Sequence, residues 1–104
     1  MVSVEMIGNA LCIRKQDGTL VEIMDSVCFY VIVNGYVYFE HRYRGAYRRG
    51  GIECELFSID NYISTGVITM LSISQYRNNR PFNVNNNGID NATWNEIWDQ
   101  ELCF

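Results

Sequence analysis

Four cysteines, a single histidine and a cluster of arginines are the side chains of this 104-residue chain most suited to chemistry. If Asn34-Gly35 forms a two-residue hairpin turn, Cys28 falls opposite His41, and a thiol beside an imidazole is the minimal set for a thiolate nucleophile. The sequence supplies no third group to orient the imidazole, and a pair in mid-sheet lacks access for substrate. A core thiol beside a histidine is therefore the preferred reading. Cys12, Cys28, Cys54 and Cys103 contain no C-x-x-C unit, so zinc-ligand spacing is missing and Cys12, Cys28, Cys54 and His41 are expected as packing residues. Glu53 and Glu55 alternate along one strand as a solvated face. The stretch GAYRRGG has glycines, yet lacks the lysine and the strand-to-helix setting of a phosphate-binding loop. No catalytic residue, no metal ligand and no cofactor are expected.

The arginines carry a clearer signal. Residues 41–50 read HRYRGAYRRG, with Arg42, Arg44, Arg48 and Arg49 interleaved with Tyr43 and Tyr47. Their local charge of +4 sits in a chain of formal charge −4, which leaves −8 elsewhere. Arginine reads carboxylate or phosphate through two parallel hydrogen bonds, and tyrosine and arginine are enriched at interface hot spots. These six residues are the candidate partner-binding set, joined by Arg77, Arg80 and Phe82 from the asparagine-rich segment downstream. An acidic protein surface is the preferred target. Glu96, Asp99 and Glu101 near the C-terminus offer one, so that loop and helix of successive copies would meet in a ring or an array. Nucleic-acid phosphate, with Tyr43 and Tyr47 as stacking platforms, is the second choice, because a net negative chain is not drawn to a polyanion at long range.

These side chains must be positioned by short β elements. VCFYVIV and YVYFEHRY flank Asn34-Gly35, which suits the left-handed torsions of a type I′ turn. The register then sets Val33 against Tyr36, Val31 against Tyr38, Phe29 against Glu40 and Val27 against Arg42. Both faces of this hairpin are apolar near the turn, so it is expected to lie inside a sandwich or to have one face covered by a partner. A second hairpin is expected about Asp17-Gly18, with Cys12 by Ile23, Arg14 by Val21, Leu11 by Met24 and Ile13 by Glu22. Residues 52–59 alternate as a half-buried strand, and 66–76 read as another, opened by Gly66. Residues 77–91 hold seven asparagines and the sole proline, the composition of a long loop. TWNEIWDQELCF begins with a capping-box pattern, Thr93 then Glu96, and sets Trp94, Ile97, Trp98 and Leu102 on one helical face.

The expected fold is mainly β: a small antiparallel β-sandwich or barrel with β-hairpins and a short C-terminal α-helix, in one domain spanning 1–104. A composition 48% hydrophobic and 19% charged supports a packed core. The apolar runs are far shorter than the roughly 20 residues of a membrane span. The first residues lack a secretory pattern, so the expected setting is cytoplasmic or virion, and the cysteines are expected as free thiols. The functional expectation is a non-enzymatic interaction protein, a β-rich subunit of a larger assembly such as an accessory virion (phage) component.

Overall fold

The computed structural model describes residues 2–42, 52–73, 76–77, 80–81 and 89–100. Three strands, β1 (Ser3–Ile7), β2 (Ala10–Arg14) and β3 (Leu20–Met24), form one antiparallel sheet in that order. The next four, β4 (Val27–Val33), β5 (Tyr36–Arg42), β6 (Ile52–Ser58) and β7 (Leu71–Ile73), form a second sheet, also ordered along the chain. The two-residue strands β8 (Tyr76–Arg77) and β9 (Arg80–Pro81) pair with each other. Two helices, α1 (Ile59–Thr65) and α2 (Asn91–Trp98), complete the described elements. The mainly β, antiparallel fold expected from the sequence is present.

The four-stranded sheet lies between two apolar layers, which explains why both faces of its central hairpin are hydrophobic. On one face Val37, Phe39 and Phe57 meet Leu11 and Ile13 of the three-stranded sheet and Tyr62 of α1. On the other, Val33, Tyr38, Cys54 and Leu56 meet Ile89 and the α2 residues Trp94 and Ile97. Tyr38 is wholly buried and Tyr36 partly so, which makes both packing residues. The alternation of 52–58 holds for Cys54 and Leu56, but Phe57 is buried on the reverse face, so this strand is covered on both sides.

The Asn34-Gly35 turn forms as its chemistry dictates, with φ of 50° and 82° at its two residues. Val33↔Tyr36, Val31↔Tyr38 and Phe29↔Glu40 pair as expected. Beyond Phe29 the register shifts, and Val27 rather than Cys28 lies opposite His41. Cys28 is thus the extra residue of a β-bulge, and the expected Cys28–His41 and Val27–Arg42 pairings do not form. A bond from the Val27 amide to the Asn9 carbonyl, 2.8 Å, ties this end of β4 to the β1–β2 turn.

About Asp17-Gly18 the turn is one residue longer than expected. The Gly18 amide bonds the Lys15 carbonyl at 2.9 Å and Gly18 takes φ 91°, the pattern of a three-residue loop with a left-handed glycine. Ile13 therefore faces Val21 and Cys12 faces Glu22, until an irregularity at Leu11/Cys12 restores the expected Leu11↔Met24 pair. The shift puts Ile13 in the core in place of a register that would have matched it with a carboxylate.

Gly66 does not open a strand; it closes α1. Its φ is 74° and its amide bonds the Tyr62 carbonyl, while Ser58 caps the start by accepting from the Asn61 amide. Of the expected 66–76 strand, residues 66–70 are not strand, Leu71–Ile73 form β7 and Tyr76 belongs to β8, while 74–75 lie outside the described residues. At α2 the cap is Asp90, whose carboxylate accepts from the Thr93 amide at 2.8 Å, three residues before the cap expected at Thr93. Thr93 lies inside the helix, buried, and its hydroxyl accepts a 2.9 Å bond from the Asn34 side chain. β1, which the sequence reading does not assign, sends Val4 and Met6 to the core and turns at Gly8, φ 62°.

Candidate partner-binding site at Arg42

Of the nine residues singled out for partner binding, Arg42 alone belongs to the long strands, as the last residue of β5. Tyr43, Arg44, Tyr47, Arg48, Arg49 and Phe82 lie outside the described residues. Arg77 and Arg80 face each other across the β8–β9 ladder, inside the stretch expected as a loop.

Arg42 borders a surface hollow of about 290 Å³, shared with Asn9, Ser26, Val27 and Cys28. Three local features bring these residues together. The β1–β2 turn supplies Asn9 and is pinned by its bond to Val27. Ser26, between β3 and β4, takes φ 58°, a left-handed conformation uncommon outside glycine and asparagine, and its carbonyl accepts the Arg42 amide at 3.0 Å. The bulge at Cys28 then bends the first residues of β4 around the hollow. Among the described residues, the Arg42 guanidinium forms no hydrogen bond or ion pair, and it is exposed. Arginine is the sole charged residue of the lining.

The thiol–imidazole reading is overturned by this geometry. Cys28 is disulfide-bonded and so carries no thiol, which also corrects the expectation that all the cysteines are free. Cys12 and Cys54 are free and buried, while Cys103 lies outside the described residues. His41 bonds Glu55 across the sheet at 2.6 Å, with its Nε2 against Oε2. Glu55 is thereby a partner of His41 and not part of a solvated face. Cys54 packs on the α2 side of the sheet and Phe39 and His41 stack at 5.9 Å on the opposite side, so cysteine and histidine do not converge. Among the described residues no group of three or more histidine, cysteine or acidic side chains is set to hold a metal ion, and no helix is long and apolar enough to cross a membrane.

Glu40 is not among the residues that the sequence singles out. It is wholly buried beside Tyr38 and opposite Cys54, on the face of β5 that α2 covers. Its signal was present: Tyr36, Tyr38 and Glu40 share one face of a strand whose two faces are both apolar. The hollow itself had no sequence signal, since its lining is drawn from two separate turns and the ends of two strands.

Compared with protein-family models, with curated proteins and with solved structures, the chain matches none of them.

Proposed function

We propose that the chain is a non-enzymatic, contact-making subunit that docks on carboxylate-bearing protein surfaces through the end of β5 and the arginine-tyrosine stretch that follows. The observation that carries this reading is the Arg42 hollow: an exposed guanidinium set among the otherwise uncharged Asn9, Ser26, Val27 and Cys28. A guanidinium in such a recess presents a planar fork of donors that fits a carboxylate with two parallel bonds. Asn9 adds a side-chain amide that can hydrogen-bond the carboxylate's neighbours. In sequence, the segment 43–49 continues from Arg42 with three more arginines and two tyrosines, the residue types most enriched at contact surfaces.

The test is sedimentation of the purified chain, alone and mixed with the components of its native complex. Arg42→Glu, by itself and with Arg48→Glu and Arg49→Glu, is expected to weaken association at least tenfold, with Arg42→Lys intermediate because it loses the fork. Association indifferent to these reversals overturns the proposal. So does tight binding of single-stranded oligonucleotide that collapses as salt rises, which would assign the same arginines to phosphate.

A further inference from the structure

We infer that β4 is a self-pairing edge and that one carboxylate docked at Arg42 is Asp60 of a second copy of the chain; the second half of this inference rests on the reading of the Arg42 hollow given above. β4 is the terminal strand of its sheet. In a hairpin closed by a two-residue turn, the pair flanking the turn exchanges both hydrogen bonds and bonded pairs then alternate. Val33, Val31 and Phe29 are therefore bonded to β5, and Tyr30 and Ile32 direct their amides and carbonyls outward. Among the described residues no strand lies along that side.

Natural edge strands are guarded by charge, proline or irregularity. β1 carries Glu5 and β3 carries Glu22, whereas VCFYVIV has no charged residue and no proline. Its bulge lies at Cys28, which leaves Tyr30 to Val33 regular. Ile32 stands 46% exposed on this edge, an unusual place for a large aliphatic side chain.

Antiparallel pairing of two β4 strands about a two-fold axis at Val31 satisfies the free groups with no other change. Tyr30 of each copy then lies opposite Ile32 of the other, which covers both isoleucines, and Val31 faces its own counterpart. Such an interface is isologous, each contact occurring twice. The Val27 amide is held by Asn9, so the pairing ends before Val27, and the Asn34-Gly35 turn of one chain arrives beside the Arg42 hollow of the other. That turn is acidic through Asp60, whose Oδ2 lies 3.7 Å from the point a Cβ on Gly35 would occupy. The Ile59 amide bonds the Gly35 carbonyl at 2.9 Å and holds the start of α1 against the turn. Arg42 and Asp60 thus meet reciprocally at both ends of the paired strands. The contact is small beside the roughly 1,600 Å² of a standard interface, so the dimer is weak and concentration-dependent.

Sedimentation velocity and native mass spectrometry across a concentration series test the inference. The wild-type chain is expected to move from 12.1 kDa towards twice that mass as concentration rises. Ile32→Lys, at an exposed site, is expected to keep the circular-dichroism spectrum and remain monomeric throughout. Arg42→Glu and Asp60→Arg are each expected to weaken self-association at least tenfold, and the double variant Arg42→Glu/Asp60→Arg to recover most of it. A wild-type chain that stays monomeric at every concentration, or an Ile32→Lys variant that associates like wild type, overturns the edge pairing even if Arg42→Glu still releases another acidic partner. Loss of the dimer in Ile32→Lys together with an unaffected Arg42→Glu supports the edge and overturns the Arg42–Asp60 contact.

Discussion

The Tyr38 hydroxyl donates a 2.7 Å hydrogen bond to the carboxylate of Glu40, two residues along the same face of β5, and neither side chain is accessible to solvent. A buried carboxylate is costly unless it is hydrogen-bonded. Burial pushes the Tyr38 hydroxyl far above its ordinary pKa, so it stays a donor across the accessible pH range. Removing that donor with Tyr38→Phe, which keeps the ring packed on Leu56 and Trp94, is expected to destabilise the chain by about 2 kcal/mol, the range of a hydrogen bond to a charged group. Urea denaturation measures it; a midpoint equal to wild type would show that Glu40 does not depend on this bond.

Asn34 serves the fold twice. It takes the left-handed conformation the turn requires, and its side chain bonds Thr93 in α2, 59 residues away, at 2.9 Å. Asn34→Gly preserves the turn and loses only the bond, so about 1 kcal/mol is expected to go, whereas Asn34→Val loses the bond and strains the turn and is expected to cost more than twice as much. Thr93→Val should match Asn34→Gly in thermal unfolding. Equal midpoints for Asn34→Gly and wild type would mean that the link to α2 carries no stability.

What the sequence made legible was local. Asn34-Gly35 fixed five pairs of one hairpin because the torsions of two adjacent residues decide them. Asp17-Gly18 left a one-residue ambiguity, since the same dipeptide serves a two-residue or a three-residue loop, and the buried Ile13 decided for the longer. The bulge at Cys28 was not legible: it depends on Val27 reaching Asn9, a contact between separate sheets. α1 went unassigned although Ser58 and Gly66 bracket it with cap chemistry, because Ile59 reads as the end of one strand and Gly66 as the start of another. Arg42 was identified from its neighbours in sequence, yet its hollow depends on turns near residues 9 and 26 that nothing in the arginine stretch announces.

Thiol chemistry separates the cysteines. Burial raises the pKa of both Cys12 and Cys54, so at neutral pH each stays protonated and slow to alkylate. With the chain folded, iodoacetamide is expected to label neither. In denaturant without reductant it should label Cys12 and Cys54 and spare Cys28, which becomes reactive only after reduction. Peptide mapping reads the pattern directly. Labelling of Cys28 before reduction would return it to the free thiols.

Three solvent-accessible carboxyls contribute to the loss of stability in acid. Glu5 is held below the usual carboxylate range by its hydrogen bonds and charge pairing with Arg14, Asp17 by hydrogen bonds from Thr19, and Asp90 by its hydrogen bonds with Thr93 at the start of α2. Each has a lower pKa folded than unfolded, so the unfolded chain binds protons first as the pH falls. Their contribution is fully present above the ordinary carboxylate pKa of about 4 and disappears as the pH drops through the lower folded values. The thermal midpoint should therefore decline from about pH 5 downward, through the carboxylate range. Asp90→Asn keeps a good helix cap and removes the titrating group, so its midpoint near neutrality should stay close to wild type while its acid decline becomes shallower. Combining it with Glu5→Gln should flatten the decline further at some loss of stability at neutral pH. An acid decline as steep in the double variant as in wild type would place the responsible groups elsewhere in the chain.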